Sequence, residues 1–172
     1  VSLSGGGKEN AIPKEAKAVV SVRSCDATTF EQSIKESEDV WMQEIKATEP
    51  HAKIELEKTD IAADKVLDFH STENVIYAIL LSPDGVVKMS NDIKGLVQTS
   101  LNLGTAYLED DKLVYKYLIR SNTAAGKKLL LERVTTFVKH LSGNVVTMSD
   151  YPAWEYKSDS QLRKICVDSF TN

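Results

Sequence analysis

At 172 residues, with 42% hydrophobic and 27% charged side chains, the chain fits one globular domain or two small subdomains sharing a core. A net charge of -4 and a pI near 5.4 give no basic field that would draw in nucleic acid or an anionic membrane surface. No apolar run approaches the roughly eighteen residues of a membrane span, no basic-then-apolar signal segment opens the chain, and Cys25 and Cys166 form neither a metal pair nor a disulfide framework.

These features lead us to expect a soluble, cytoplasmic protein, and the start at Val1, directly in "VSLSGGG", reads as a piece of a longer one. The opening strand runs into a glycine-rich loop, "GGGKENAIPKEA", and pairs across it with a strand over Ala16 to Arg23. From Thr28 to Thr48 apolar residues recur at Phe30, Ile34, Trp41 and Ile45, which predicts an amphipathic helix with Asp26 as N-cap and Glu49-Pro50 as its stop. Lys53 to Lys58 alternates like a strand, and Asp64 to Leu81 reads as a helix ended by Ser82-Pro83-Asp84-Gly85. Leu96 to Leu108 and Leu113 to Arg120 form a hairpin around "EDDK". A helix over Ala124 to Leu141, closed by Gly143, a strand over Asn144 to Ser149 and a helix over Ser158 to Phe170 complete the plan. The last helix gathers Leu162, Ile165, Cys166 and Phe170 on one face, which needs a cover, so Cys166 is expected to be half-buried.

The order strand-strand-helix-strand thus occurs twice. "SLSGG" at 2 to 6 is echoed by "SLNLG" at 100 to 104, and "VSVRS" at 20 to 24 by "YLIRS" at 117 to 121, offsets of 98 and 97. The fold class expected is α+β: duplicated ferredoxin-like units with a mainly antiparallel sheet and helices packed on one face.

Catalytic chemistry is sparse. A hydrolytic metal centre needs three or more converging ligands, and His51, His70 and His140 read instead as surface or capping residues. "KESED" and "LEDDK" read as a solvated helix face and a hairpin tip, and neither cysteine has a histidine beside it in sequence to activate it. The glycines lack both phosphate-loop and dinucleotide spacing. What remains is polar residues at structural edges: Asn10 after the glycines, Asn102 in "SLNLG" and Arg120 ending an apolar strand. A guanidinium fork matches a carboxylate, and an asparagine amide donates to a carbonyl or oxyanion, so together they suit the polar end of a peptide. The ordinary alternatives are that Asn10 caps a turn, Asn102 marks a bulge before Gly104, and Arg120 ends its strand in water.

"GGGKENAIPKEA", "VVKMSNDIKGLVQTSLNLG", "YLIRSN" and "YPAWEYKSDS" resemble, in the same order, segments of the aminoacyl-histidine dipeptidase family, carnosinase-like peptidases of the di-zinc exopeptidase superfamily. The resemblance runs from about residue 2 to the end and implies the lid of such an enzyme, inserted within its catalytic domain. It implies a first ferredoxin-like half over 1–60, a connecting helix and turn over 61–95, a second half over 96–152, and the start of the return to the catalytic domain over 153–172. Asn10 and Arg120 match residues that reach from the lid toward substrate; Asn102 matches the Leu-Asn-x-Gly motif and joins them as a candidate substrate-binding residue. The family's two zinc ions, their ligands, its glutamate base and a lid histidine in Gly-Gly-His-Ser have no counterpart here, so no catalytic or metal residue and no activity are expected of this chain alone. Tyr151 to Trp154 reads Tyr-Pro-Ala-Trp where the family pattern has glycine, and Arg23 has no counterpart. The partners implied are a dipeptide substrate, the chain's own catalytic domain and a second lid in a homodimer, with neither nucleic acid nor membrane. The alternative is a free-standing duplicated module that binds a small molecule or a protein; it would cover the face from Leu162 to Phe170 and leave no unpaired N-terminal strand edge.

Overall fold

The computed structural model describes residues 2–59, 63, 65–157 and 159–171. In chain order they form strands β1 (Ser2–Gly5) and β2 (Ala16–Val19), a 3-10 turn at Ser24–Asp26, helices α1 (Ala27–Ile45) and α2 (Phe69–Leu81), strands β3 (Gly85–Met89), β4 (Val97–Glu109) and β5 (Lys112–Ser121), and helices α3 (Ala124–His140) and α4 (Gln161–Thr171). The expected helix starts at Asp64 and Ser158 lie outside the described residues. Two compact units result, one chiefly of residues 18–67, the other of 3–17 with 68–172.

The second unit is organised by the β4–β5 hairpin. Alternating side chains over both strands and a turn at Asp110 and Asp111, both at positive φ (47° and 60°), give a ladder from Thr99↔Ser121 to Glu109↔Lys112. On the other edge of β4, β1 pairs at Tyr107 and β3 at Leu101, so the order is β2-β1-β4-β3 with β5 beyond β4, and the β1, β3 and β5 pairings with β4 are antiparallel. The class is therefore α+β with an antiparallel sheet, as expected. β1 lies between β2 and β4, so the N-terminal strand has no unpaired edge, which is the outcome expected of the free-standing alternative and not of a fragment.

Helix α3 covers one face of the hairpin. Its start is set by Thr123, whose hydroxyl accepts from the Gly126 amide at 3.2 Å, and its end by Ser142 at φ 60°, which lets the Gly143 amide return to the Val138 carbonyl at 2.9 Å. Leu130, Val134 and Val138 repeat every four residues and form one stripe. It meets Leu101 of β4 and Tyr117 and Ile119 of β5. Leu101 and its partners thus point to the helix side. By alternation Ser100, Asn102, Leu118 and Arg120 point to the opposite side.

Three expectations fail. Lys53 to Lys58 and Asn144 to Ser149 alternate like strands but have no ladder partner among the described residues and form none there, so neither strand-strand-helix-strand unit closes with its last strand. β3 was not anticipated: its five residues are all exposed at a sheet edge, so burial imposes no alternation on "GVVKM". Cys166 is exposed rather than half-buried, because the apolar side of α4 is open, with Leu162 and Ile165 more than half exposed and Phe170 94% exposed. Helix α2 is similar: Ala78 is buried, while Phe69, Leu80 and Leu81 stand in solvent.

In the unit of residues 18–67, α1 follows the 3-10 turn. Asp26 occupies the N-cap position, but its carboxylate takes the Arg23 Nε at 2.6 Å instead of a helix amide. The helix stops at Ile45, short of Pro50, through a turn in which the Glu49 amide donates to the Ile45 carbonyl at 2.7 Å.

Candidate functional site

The glycine-rich loop is explained by where it lies. It leaves β1 and turns back to β2, closed by the Gly6 amide donating to the Glu15 carbonyl at 3.1 Å and the Ala11 amide to the Lys8 carbonyl at 3.2 Å. Its middle rests on β4 at Gly104: a Cβ there would stand 2.3 Å from the Glu9 Cα and 2.4 Å from the Lys8 carbonyl oxygen. Gly6, at φ 69°, faces the same point, since a Cβ on it would come 1.9 Å from the Gly104 carbonyl oxygen. Backbone therefore lies directly on backbone, which only glycine permits at both positions.

Gly104 also marks an irregularity in the ladder. Leu103 pairs with Tyr117 and Thr105 with Lys116, so one residue of β4 is left over, a β-bulge. The Leu103 amide is taken by the Asp84 carboxylate at 2.7 Å. Thr105 is buried, and its hydroxyl has no partner among the described residues.

Asn102, two residues before the bulge, points away from α3 into the loop. Its Nδ2 donates to the carbonyls of both Glu9 and Ala11, each at 2.9 Å, and so grips the backbone on either side of Asn10. Both amide hydrogens are thereby used. Asn10 itself is exposed, and among the described residues its side chain makes no hydrogen bond.

Arg120 stands on the same face. It pairs with Ser100 while Asn102 pairs with Leu118, so Arg120 and Asn102 are diagonal neighbours, a relation that sets them about 7–8 Å apart. The guanidinium is exposed and has neither ion pair nor hydrogen bond among the described residues. Asn102 and Arg120 thus share the sheet face opposite α3, and Asn102 holds the loop segment that carries Asn10. A planar cationic fork next to an amide suits a ligand carrying a carboxylate and a carbonyl.

Other features stand apart from this group. His51, His70 and His140 are exposed, with His70 beside Asn74 at 3.4 Å on α2. Among the described residues no three His, Cys, Asp or Glu side chains come together as metal ligands, so the residues present do not fit a zinc site. Both cysteines are free. On the α3 side burial pushes the hydroxyls of Tyr115 and Tyr117 above the ordinary tyrosine range, and for Tyr117 a hydrogen bond with Ser82 opposes that shift. A cleft lined by Asn122, Trp154, Tyr156 and Arg163 includes none of the three candidate residues. No helix among the described residues is long and apolar enough to cross a membrane.

Sequence reasoning singled out Asn102 but not its role, since its partners lie 91 and 93 residues away in the chain. The available signal was the pairing of glycines, Gly5 to Gly7 in one segment and Gly104 in the other, which permits close backbone contact without announcing it.

No family model matches the chain. It is 25% identical over 171 residues to the cytosol non-specific dipeptidase of Escherichia coli (strain K12), an alignment covering 99% of this chain and 35% of that protein. The crystal structure of aminoacylhistidine dipeptidase from Vibrio alginolyticus superposes with a TM-score of 0.87 at 26% identity, again over 99% of this chain and 35% of the other. Both relatives are peptidases by name, and the chain spans about a third of the length of each. In sequence this chain is homologous to about a third of the Escherichia coli cytosol non-specific dipeptidase, and in fold it matches about a third of the Vibrio alginolyticus aminoacylhistidine dipeptidase.

Proposed function

We propose that this chain is the lid of a cytoplasmic zinc dipeptidase acting on Xaa-His and related dipeptides, and that it positions substrate without performing the bond cleavage. The zinc pair would be held by a catalytic domain outside these 172 residues, and would activate the water that attacks the peptide carbonyl. The chain alone is expected to be inactive, and the lid offers a surface for homodimerisation.

The contribution of the lid follows from its free groups. Arg120 forms a bidentate pair with the terminal carboxylate of the dipeptide, and Asn10 donates to the scissile carbonyl oxygen as negative charge grows on it. Closure over the substrate excludes water, which strengthens both contacts. The observation that carries this reading is that Asn102 clamps the backbone on either side of Asn10, while Asn10 and Arg120, the diagonal neighbour of Asn102 on the sheet, are both exposed with no side-chain hydrogen bond among the described residues. The uncovered apolar side of α4, with Leu162, Ile165 and Phe170 all more than half exposed, supports a partner domain over a free-standing module.

The test is hydrolysis of β-alanyl-histidine and glycyl-histidine by this chain and by the full-length protein, both with zinc added. Cleavage by the full-length protein alone is expected, and comparable cleavage by the isolated chain would overturn the lid assignment. In the full-length protein, Asn10→Ala and Arg120→Ala should each lower kcat/KM by about a hundredfold or more. Wild-type kinetics in both would sink the assignment of these two residues.

A further inference from the structure

We infer that Asn102 is a positioning residue for the dipeptidase reaction: it acts through Asn10, by fixing the loop that carries it, and does not touch substrate. The inference rests on the reading of Asn10 as a substrate contact.

Three observations carry it. A side-chain amide has two N–H donors, and both of those on Asn102 are committed, to Glu9 and Ala11, the residues immediately before and after Asn10. Two bonds that bracket one residue hold the backbone on both sides of it, and so the point from which its side chain starts, whereas a single bond would leave the loop free to swivel. Second, the anchor is rigid. Asn102 sits in the middle of the β4–β5 ladder, between Leu101↔Ile119 and Leu103↔Tyr117, with buried Leu101 behind it. Third, the fit depends on Gly6 and Gly104, where backbone meets backbone, so the loop has a seat as well as a clamp. Asn10 has no side-chain hydrogen bond of its own among the described residues, so its aim depends on the backbone that Asn102 holds.

Asparagine suits the task better than its relatives. Aspartate would set a carboxylate against two carbonyl oxygens, leucine would fill the space without donating, and glutamine would extend one methylene too far for both 2.9 Å contacts.

The experiment uses the full-length protein with Asn10→Ala, Asn102→Leu, Asn102→Asp and the double variant Asn10→Ala/Asn102→Leu. Steady-state kinetics with glycyl-histidine are combined with hydrogen exchange at the Gly6 and Ala11 amides. Asn102→Leu and Asn102→Asp should each lower kcat by about tenfold to a hundredfold with KM changed less than about threefold, because a misplaced group costs mainly in the transition state. Exchange at Gly6 and Ala11 should quicken by about tenfold while the amides of Leu101 and Ile119 keep their protection. In the Asn10→Ala background, Asn102→Leu should cost less than about twofold further, since the residue through which it acts is gone.

Fully additive losses in the double variant, with unchanged loop exchange, would mean that Asn102 contacts substrate directly and would overturn the inference. A defect in Asn10→Ala with wild-type turnover in Asn102→Leu would overturn the inference and leave the role of Asn10 standing. Wild-type turnover in Asn10→Ala would overturn the reading of Asn10 and this inference with it, and loop exchange in Asn102→Leu would then report separately on whether the clamp exists.

Discussion

Gly104→Ala is a direct perturbation of the loop seat, because a single methyl group would be placed where the loop backbone already is. The added Cβ would lie 2.3 Å from the Glu9 Cα and 2.5 Å from its carbonyl carbon. Non-bonded carbons settle at about 3.5 Å, so the loop must retreat by about 1.2 Å. The obstacle is backbone, not the end of a flexible side chain, so rotation cannot relieve it. Two costs follow: overpacking of about 1–3 kcal/mol in stability, and displacement of Asn10, which at about 1 Å lowers turnover by about a hundredfold. The assay is kcat and KM with glycyl-histidine in the full-length protein, alongside the urea midpoint and the far-ultraviolet circular dichroism spectrum. We expect kcat to fall by one to two orders of magnitude while the spectrum keeps its shape. Gly6→Ala attacks the same contact from the other side and should cost more stability, since its φ of 69° also strains a side-chain-bearing residue. Wild-type kcat in Gly104→Ala, or a loss no larger than the fraction of protein unfolded, would refute the argument that the loop seat aims Asn10.

Two further predictions concern stability. Leu101, 3% exposed against Leu130 and Val134, anchors the core of its unit, so Leu101→Ala should cost about 2–5 kcal/mol in urea unfolding. Val86→Ala, at a site 59% exposed on β3, should stay within about 0.5 kcal/mol; equal effects would mean the core lies elsewhere. Tyr115 predicts an alkaline weakness, because burial raises its folded pKa above the unfolded value near 10, so the unfolded state loses its proton first. The stability tied to the neutral hydroxyl is intact below about pH 10 and is lost as pH climbs from there toward the folded value. Tyr115→Phe should therefore flatten the fall in urea midpoint between pH 9 and pH 11, and should cost little at pH 8, since the buried hydroxyl has no partner among the described residues. An unchanged alkaline slope would show that other groups govern it.

What could be seen in the sequence was what local chemistry dictates. The hairpin was legible because two alternating runs flank Asp110 and Asp111, residues that tolerate positive φ. Helix α3 was legible from its apolar stripe and the glycine beyond its end. "KIELEK" and "NVVTMS" alternate just as well, yet a strand is defined by its partner, and neither is paired among the described residues. β3 failed for the converse reason: it has a partner in β4, but as an exposed edge strand it needs no pattern. In the site, Asn10 and Arg120 could be singled out as polar residues at element ends, and a bulge at Gly104 was among the readings of Asn102. The grip of Asn102 on the loop could not be read, because contact between residues more than ninety positions apart depends on register, which no local pattern encodes.

The bulge at Gly104 has a consequence for how the sequence divides its tasks. Leu103 and Thr105 pair with Tyr117 and Lys116, which are adjacent in β5, so residue 104 is surplus to the pairing of the two strands. A chain lacking it would close the ladder without a gap and keep Leu101 and Tyr117 on the helix side. The sheet has no use for this residue; the loop above it does. At this one position the demands of assembling the protein and of aiming its side chains are carried by separate pieces of backbone, so the seat could be reshaped without rewriting the strand that bears it.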